Sequence, residues 1–276
     1  MIQDIYPSKL RNEYIKDAVA ELNDTVVAFC DSKIMYKRSL DDTIVLPKVA
    51  EVGADKEYVY LFSLDDEKFF MLKGSVEALP GYDYEGVREL RKSGLGPKAT
   101  IFALYTAKHL NDWYKDNSFC GRCGKKMLHS ENERAMKCPE CGNRSYPRIM
   151  PAVIVGVKNG DKLLLTKYKT GFAQYALVAG FTEIGETAEE TVAREVMEEA
   201  GVRVKNIKYY KSQPWGIAND LLLGYFCEVD GDTTIHMDDN ELKFAEWVNR
   251  ENIELQSDDF SLTNEMMTMF KSGAER

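Results

Sequence analysis

The sequence predicts a mixed α/β (α+β) protein in three parts, and two observations support that fold class. Two cysteine pairs lie between longer segments that contain both strand-like and helix-like runs. After residue 150, strand candidates flank one well-marked helix, which is typical of a mixed sheet with helices packed on its faces. We expect a small α+β part at 1–118, a zinc ribbon at 119–149 and the mixed sheet at 150–276.

Length and composition are those of an ordinary globular protein: 276 residues, 44% of them hydrophobic and 29% charged. The chain has no apolar run of 18 residues, so we expect no transmembrane helix. Its first residues lack the basic start, the apolar stretch and the cleavage site of a signal peptide, so we expect a cytoplasmic location. In that compartment the six cysteines favour thiols or metal ligands over disulfides.

The net charge of −9 is unevenly distributed. Residues 120–150 carry seven basic and three acidic side chains, whereas residues 151–276 carry 13 basic and 22 acidic ones. The acidic final part argues against broad affinity for nucleic acid, because it would repel phosphate unless cations intervene. The short basic segment favours an anionic ligand nearby.

In the first part, strand-like runs cover 25–30, 43–47 and 57–64. The pattern predicts a short helix over 81–94 and a longer one over 99–117. This part has no recognisable chemical motif, so we expect a structural or dimerising role.

The cysteines of the second part follow the pattern C-x2-C-x14-C-x2-C, at Cys120, Cys123, Cys138 and Cys141. Each pair can bind one side of a tetrahedral zinc ion, and the glycine after each second cysteine permits a tight turn. Four thiolates leave no open coordination position, so the predicted zinc is structural. Free or redox-active thiols are the alternative, but they would not require two matched pairs. The basic residues of the ribbon are compatible with nucleic-acid binding and equally with a solvated face.

The third part opens with two strands, 151–157 and 161–168, joined by a hairpin turn. Further strands are predicted at 206–213, 220–229 and 242–248, and a last helix at 261–271.

Between them lies the acidic stretch "GETAEETVAREVMEEAG", residues 185–201. Thr187 and Glu190 form a capping box that starts a helix at Ala188, and Gly201 ends it. At about 100° per residue, one arc of the helix is predicted to be buried: Val192, Ala193, Val196, Met197 and Ala200.

Glu195, Glu198 and Glu199 occupy the neighbouring arc of this helix. Like charges at this spacing repel each other, and a solvated face would normally interleave lysines. Arg194 is four residues from Glu190 and from Glu198, where it can stabilise the cluster. Mg²⁺ or Mn²⁺ would supply further positive charge to these hard oxygen ligands. A merely solvated acidic face is the alternative.

Nine positions over residues 180–202 fit the pattern G-x5-E-x7-R-E-U-x-E-E-x-G-U, in which U is a bulky aliphatic residue. They are Gly180, Glu186, Arg194, Glu195, Val196, Glu198, Glu199, Gly201 and Val202. The chain therefore resembles the Nudix hydrolases, which cleave a nucleoside diphosphate linked to another moiety and bind divalent metals through this motif. The resemblance implies an α/β/α sandwich for the third part.

The four-cysteine ribbon, "YPR" at 146–148 and "SQPW" at 212–215 narrow the resemblance to the NADH pyrophosphatase (NudC-like) subfamily. Its members hydrolyse the pyrophosphate bond of NAD(H) to AMP and nicotinamide mononucleotide, form homodimers, and also remove NAD caps from RNA. The resemblance covers about 119–270 well and the first 118 residues only by position.

The resemblance assigns the divalent metal to Glu195, Glu199, Glu241 and the carbonyl group of Ala179. Glu198 is expected to bind metal or to accept the proton of the attacking water. Glu186 is expected to position the helix or to bind a further metal.

Tyr146 and Phe181 resemble the aromatic pair that stacks on the substrate ring, with Tyr146 supplied by a second protomer. The other substrate contacts implied by the resemblance are Glu133, Gln213, Pro214, Trp215, Gly216, Asn219 and Thr263. Three of the residues assigned by the resemblance have simpler alternative interpretations. Tyr146 could be a core aromatic residue, Trp215 a packing residue and Glu241 an acidic surface residue.

One departure concerns the substrate. The subfamily reads SQPWPFPxS where this chain reads "SQPWGIAND", so prolines are replaced by Gly216 and Ala218 and the serine by Asn219 or Asp220. We expect a more flexible loop and a less certain preference for reduced nicotinamide. An ADP-ribose or broad dinucleotide pyrophosphatase is the second hypothesis. A non-catalytic sensor or nucleic-acid-binding protein is the third.

Overall fold

A computed structural model describes residues 1–91, 94–169, 174–238, 240 and 242–275. The chain forms two compact units. One unit consists of Met1, Ile149–Trp215 and Asp220–Arg276, and the other of Ile2–Arg148 and Gly216–Asn219. Among the described residues, no helix combines the length and the apolar character needed to cross a membrane.

The unit that contains most of the N-terminal half is rich in short strands. Its strands are β1 (Leu10–Arg11), β2 (Thr25–Val27), β3 (Phe29–Cys30), β4 (Lys33–Arg38), β5 (Ile44–Val45), β6 (Tyr58–Leu64), β7 (Glu67–Leu72), β8 (Asp83–Gly86), β9 (Leu128–His129), β10 (Met136–Lys137) and β11 (Arg144–Ser145). Its helices are α1 (Val49–Val52) and α2 (Lys98–Asp116). The strands form sheets in the orders β1-β6-β7-β2 and β3-β4-β5, with β8 also paired to β4, and the ribbon sheet β11-β10-β9.

The predicted long helix corresponds to α2, but the predicted helix over 81–94 is wrong. Residues 83–86 form β8, which pairs antiparallel with β4, and only Glu89–Arg91 form a short 3-10 turn. Tyr82 is buried and Tyr84 is half-buried against the core around Met35. Pairing with a distant strand therefore overrides the local helical pattern, as is common for short segments.

The second unit contains the mixed sheet. Its strands are β12 (Met150–Asn159), β13 (Lys162–Tyr168), β14 (Val178–Phe181), β15 (Val204–Trp215), β16 (Asp220–Val229) and β17 (Leu242–Asn249), and its helices are α3 (Ala188–Ala200) and α4 (Leu262–Ser272). The strand order is β15-β16-β12-β13-β17, with β14 paired to β12. The β12–β16 pair is parallel and the other pairs are antiparallel.

In the described part of this unit, α3 packs on one face of the sheet and α4 on the other. Along β12, Val153 and Val155 pack with α3, whereas Ala152 and Ile154 belong to the core that includes α4. Side chains alternate between the faces of a strand, so β12 is buried on both sides. The observed α/β/α sandwich confirms the fold class predicted for the third part.

Gln213 fixes the start of α4. Its side chain is fully buried; its Nε2 donates to the carbonyl of Phe260 at 2.7 Å, and its Oε1 accepts from the amide of Leu262 at 2.7 Å. The N-terminal amides of a helix need acceptors, and Gln213 supplies one from β15. The same residue thereby connects β15 with the chain that enters α4.

Candidate active site and zinc centre

The four cysteines of the ribbon converge. Their Sγ atoms all lie within 4.8 Å of one another, with 3.7 Å between Cys120 and Cys141 and 3.5 Å between Cys123 and Cys138. A tetrahedron with Zn–S bonds of about 2.3 Å has edges of about 3.8 Å, so the spacing fits one zinc ion. The chemistry of this donor set, four thiolates and no oxygen, also suits zinc.

Both cysteine pairs lie on the same type of turn. The amide of Cys120 donates to the carbonyl of Lys125, and the amide of Cys138 donates equivalently to Asn143. Gly124 and Gly142 have φ values of +71° and +70°, a left-handed conformation that favours glycine. These turns direct backbone N–H groups at the sulfurs.

Those N–H groups favour the thiolate form. The backbone amide of Arg122 is the main cause that lowers the pKa of Cys120 to about 6. A bond from the amide of Cys141 likewise lowers the pKa of Cys138. Thiolate is the form that binds metal, so the turns prepare the ligands for zinc.

We predict that Cys138→Ser, or removal of zinc by a strong chelator, unfolds the ribbon, because this small module has little apolar core of its own. Far-UV circular dichroism and thermal melting measure the change, and metal analysis should give one zinc per chain. Cys30→Ser is the matched control, because Cys30 is exposed at the end of β3. A chelated protein that melts like the untreated one would contradict this role.

The acidic helix begins and ends as predicted. Thr187 accepts from the amide of Glu190, the Glu190 side chain accepts from the amide of Thr187, and Gly201 ends α3 with φ +69°. The predicted buried arc is partly wrong, because Ala193 and Met197 are exposed. The arc that faces the sheet is rotated toward Glu199, which is only 2% exposed.

Arg194 connects the glutamates of the motif. Its Nε and Nη2 donate to the two oxygens of Glu186 at 2.6 and 2.9 Å. Its Nη1 donates to Glu195 at 2.7 Å and to Glu198 at 2.9 Å. The expected stabilisation of the acidic cluster is therefore present, but Glu186 takes the place expected for Glu190, whose carboxylate caps the helix.

The side-chain hydrogen bond from Arg194 is the main cause that lowers the pKa of Glu186 to about 2. The stability that this pair contributes is complete above the ordinary glutamate pKa of 4.5 and is lost as the pH falls toward 2. Glu186 thus contacts α3 through Arg194, and the two roles expected for it stay predictions.

Glu199 has a different environment from the other glutamates. The hydroxyl of Tyr168, the last residue of β13, donates to its two oxygens at 3.1 and 3.4 Å. A carboxylate buried to this degree is costly unless it is hydrogen-bonded or bound to a cation. Nothing in the sequence motif indicated Tyr168; its role depends on where β13 ends.

Glu195 lies directly against β14. A Cβ atom built on Gly180 would overlap the carboxyl group of Glu195, so the glycine of the motif makes room for this side chain. Ala179, whose carbonyl is an expected metal ligand, precedes Gly180 in the same strand. The arrangement places hard oxygen donors beside one strand end, as Mg²⁺ or Mn²⁺ requires. Glu241 lies outside the described residues, so the complete ligand set stays a prediction.

Phe181 is the last residue of β14, and its side chain is 52% exposed. Its carbonyl accepts a hydrogen bond from Nη2 of Arg194 at 2.9 Å. This hydrogen bond holds the backbone at the end of β14 beside the glutamate cluster. An exposed ring beside polar groups is suited to stacking on a flat ligand.

In the ribbon, Glu133 and Tyr146 lie together as a pair. The hydroxyl of Tyr146 donates to Glu133 at 3.3 Å, and Arg144 donates to the same oxygen at 2.7 Å. Tyr146 is 53% exposed, which excludes the simpler interpretation of a core aromatic. Its contact with substrate remains a prediction.

The residues of "SQPWGIAND" have distinct environments. The side-chain amide of Gln213 is hydrogen-bonded to Phe260, and Pro214 is exposed. Trp215 is half-buried and packs against the α4 core, as expected if its role is packing. Thr263 is half-buried in the first turn of α4. Substrate contacts of all four residues stay predictions.

Gly216 and Asn219 pack on α2. A Cβ atom on Gly216 would overlap the carbonyl of Tyr105, and Nδ2 of Asn219 lies 3.5 Å from the Asp112 carboxylate. Asn219 has φ +67°, which asparagine tolerates better than most residues. Gly216 and Asn219 are therefore in close contact with α2, and the flexibility expected of this loop stays a prediction.

Asp220, the first residue of β16, was not among the predicted site residues. Its side chain is 7% exposed, and within the described part of the chain its Oδ1 has no hydrogen-bond partner. Burial raises the pKa of this carboxyl to about 6. The replacement of serine in "SQPWGIAND" was the one sequence signal that pointed to this position.

Comparisons with known proteins agree with this geometry. The NUDIX domain family matches residues 148–267, and the NADH pyrophosphatase zinc ribbon domain matches residues 115–146. These two matches, with the glutamates on α3, define the chain as a Nudix hydrolase.

More specifically, the chain belongs to the NudC family of Nudix hydrolases. It is 36% identical over 228 residues to the "NAD-capped RNA hydrolase NudC" of Pseudomonas fluorescens (strain Pf0-1), covering 80% of this chain and 77% of that protein. It is 33% identical to the protein of the same name from Pseudomonas aeruginosa (strain LESB58), covering 84% and 83%. A crystal structure of a NUDIX hydrolase from Nitrosomonas europaea is similar with a TM-score of 0.49 and 20% identity, over 56% of this chain and 91% of that one.

We predict that Gly180→Ala lowers the rate of pyrophosphate-bond hydrolysis on the order of 100-fold, because a displacement of about 1 Å at a reacting group has that effect. The added methyl group must displace the Glu195 carboxylate. Initial rates and melting curves measure the effect. Gly121→Ala is the control, since a Cβ there meets nothing within 4 Å. Equal rates for Gly180→Ala and the wild type would refute the placement of Glu195.

Proposed function

We propose that this protein is a metal-dependent diphosphatase that hydrolyses NAD(H) to AMP and nicotinamide mononucleotide and also removes NAD caps from RNA. The observation that carries the proposal is the α3 glutamate cluster, which Arg194 links to the backbone at the end of β14, where Phe181 is exposed. The names of the Pseudomonas relatives support the same substrate class.

The metal of this reaction would be Mg²⁺ or Mn²⁺, held by Glu195, Glu199, Glu241 and the carbonyl of Ala179. When bound, it supplies positive charge that neutralises the pyrophosphate oxygens and activates water for attack. The buried position of Glu199 supports this assignment, because a bound cation would offset the cost of desolvating its charge.

The residues of the chain supply orientation and a proton acceptor. Arg194 holds Glu195 and Glu198 on one side of α3 and the backbone of Phe181 beside them. The side chain of Glu198 is 58% exposed, so it can accept the proton of the attacking water. The water oxygen bonds to one phosphorus, the P–O bond to the bridging oxygen breaks, and the other phosphate leaves with that electron pair.

The zinc of the ribbon is structural in this proposal, and the enzyme works as a cytoplasmic homodimer. Tyr146 of the second protomer stacks on the substrate ring opposite Phe181, and Glu133 contacts the same substrate. The support for Tyr146 and Glu133 is the exposure of Tyr146 and the hydrogen bond that its hydroxyl donates to Glu133. The basic side chains of the ribbon would bind the anionic phosphates of the RNA in a capped substrate.

A second candidate is an ADP-ribose or broad dinucleotide pyrophosphatase. Its support is the "GIAND" segment, where Gly216 packs on the backbone of α2 and Asp220 replaces the serine of the subfamily motif. These changes lie in the segment that the resemblance assigns to substrate contacts, and they do not include any glutamate of α3.

A substrate panel tests the proposal. We expect the purified protein with Mg²⁺ or Mn²⁺ to release AMP from NAD⁺ and NADH, and 5′-monophosphate ends from NAD-capped RNA, faster than AMP from ADP-ribose or FAD. Chromatography of the nucleotides and gel analysis of the RNA measure the products. Faster turnover of ADP-ribose than of either dinucleotide would favour the second candidate. Hydrolysis of none of them would refute both candidates.

A second test concerns the metal ligand on the buried side of α3. We predict that Glu199→Gln reduces the rate by at least about 1,000-fold, the scale of a lost electrostatic interaction in a catalytic site. The fold should be retained, because glutamine can still accept from Tyr168. Glu189→Gln, an exposed residue of the same helix, is the matched control. A near-normal rate for Glu199→Gln would remove this residue from the metal site.

A further inference from the structure

The carboxyl group of Asp220 is buried at the start of β16. Its side chain is 7% exposed, and its Oδ1 has no hydrogen-bond partner among the described residues. Burying a carboxylate without a partner is unfavourable, so such groups persist where a ligand supplies the partner. Desolvation raises the pKa of Asp220 to about 6, and the carboxyl group is therefore mostly ionised at neutral pH.

The sheet register places Asp220 beside the expected base-binding surface. Asp220 lies opposite Met150 of β12 on one side and Trp215 of β15 on the other. Directly opposite residues of paired strands point to the same face. Trp215 packs against the core cluster on the α4 face, so Asp220 lies on that face.

Phe181 lies on the same face of the sheet, in register with a position two residues further along β16. It pairs with Ala152, and Ala152 pairs with Leu222, two residues after Asp220. Strand spacings of about 4.8 Å and residue rises of about 3.3 Å put the Cα atoms of Phe181 and Asp220 roughly 12 Å apart. One planar heterocycle and two side chains span such a distance.

We propose that Asp220 selects the oxidised, positively charged form of the nicotinamide ring over the reduced, neutral form. The inference rests on the proposed function and names its preferred substrate. The ring stacked on Phe181 carries a positive charge in NAD⁺ and none in NADH. An ionised carboxylate on the same face attracts the charged ring, and the low polarity of its surroundings strengthens that attraction.

The alternative ligand groups are less suited to this position. A phosphate group would be repelled by the carboxylate. ADP-ribose lacks the nicotinamide and gains nothing from the charge of Asp220. The effect of Asp220 is therefore expected on NAD⁺ alone, and that expectation separates charge selection from a general structural role.

The test measures kcat/KM for NAD⁺, NADH and ADP-ribose in the wild type, Asp220→Asn and Asp220→Ser. We expect the wild type to prefer NAD⁺, and both variants to reduce the NAD⁺/NADH ratio about tenfold or more, the scale of one partly desolvated charge pair. The loss should lie mainly in a higher KM for NAD⁺, with NADH and ADP-ribose changed less than about threefold.

Asp230→Asn is the matched control, because it removes one negative charge just beyond the far end of β16 and leaves the ratio unchanged. Melting curves establish that the variants are folded. An unchanged NAD⁺/NADH ratio in either folded variant, or a parallel loss for all three substrates, would overturn the role of Asp220 while leaving the diphosphatase activity intact. A wild type that hydrolyses neither dinucleotide would instead refute the proposed function.

Discussion

The active-site half of the structure depends on the guanidinium group of Arg194. Three glutamates and the carbonyl of Phe181 accept hydrogen bonds from this one side chain. Arginine is suited to this task because its donors lie in a rigid plane and its charge persists at all relevant pH values. The carboxylates would otherwise repel each other on one helix. Their mutual arrangement, and the position of the β14 backbone beside them, follow from this interaction.

The two sets of candidate metal ligands differ in how many elements of the chain contribute to them. The ribbon builds its centre locally, since both cysteine pairs lie on equivalent turns whose glycines and amides prepare the sulfurs. The glutamate centre draws on β14, α3 and Tyr168 at the end of β13. Residue spacing indicated both the cysteines and the α3 glutamates, whereas the contact of Tyr168 with Glu199 depends on how β13 and α3 are placed in the folded unit.

Among the described residues of the catalytic unit, two carboxylates are buried. Glu199 has Tyr168 as a hydrogen-bond donor, whereas Asp220 has an oxygen with no partner in the described chain. Both cost folding free energy in the absence of a cation. Such costs are typical of functional positions, where stability is exchanged for affinity. Asp220 lies in "GIAND", the segment that departs from the subfamily motif.

The sequence by itself determined the local features. The capping box of α3, its end at Gly201, the cysteine turns and the β12–β13 hairpin depend on interactions within a few residues, and each was predicted correctly. The tertiary structure decided the rest. In the tertiary structure, residues 83–86 form β8 where a helix over 81–94 was predicted. The buried arc of α3 includes Glu199, and Gln213 is buried at the start of α4. These outcomes depend on strand pairing and on burial between residues that are distant in the sequence. The periodicity of a single segment does not contain that information.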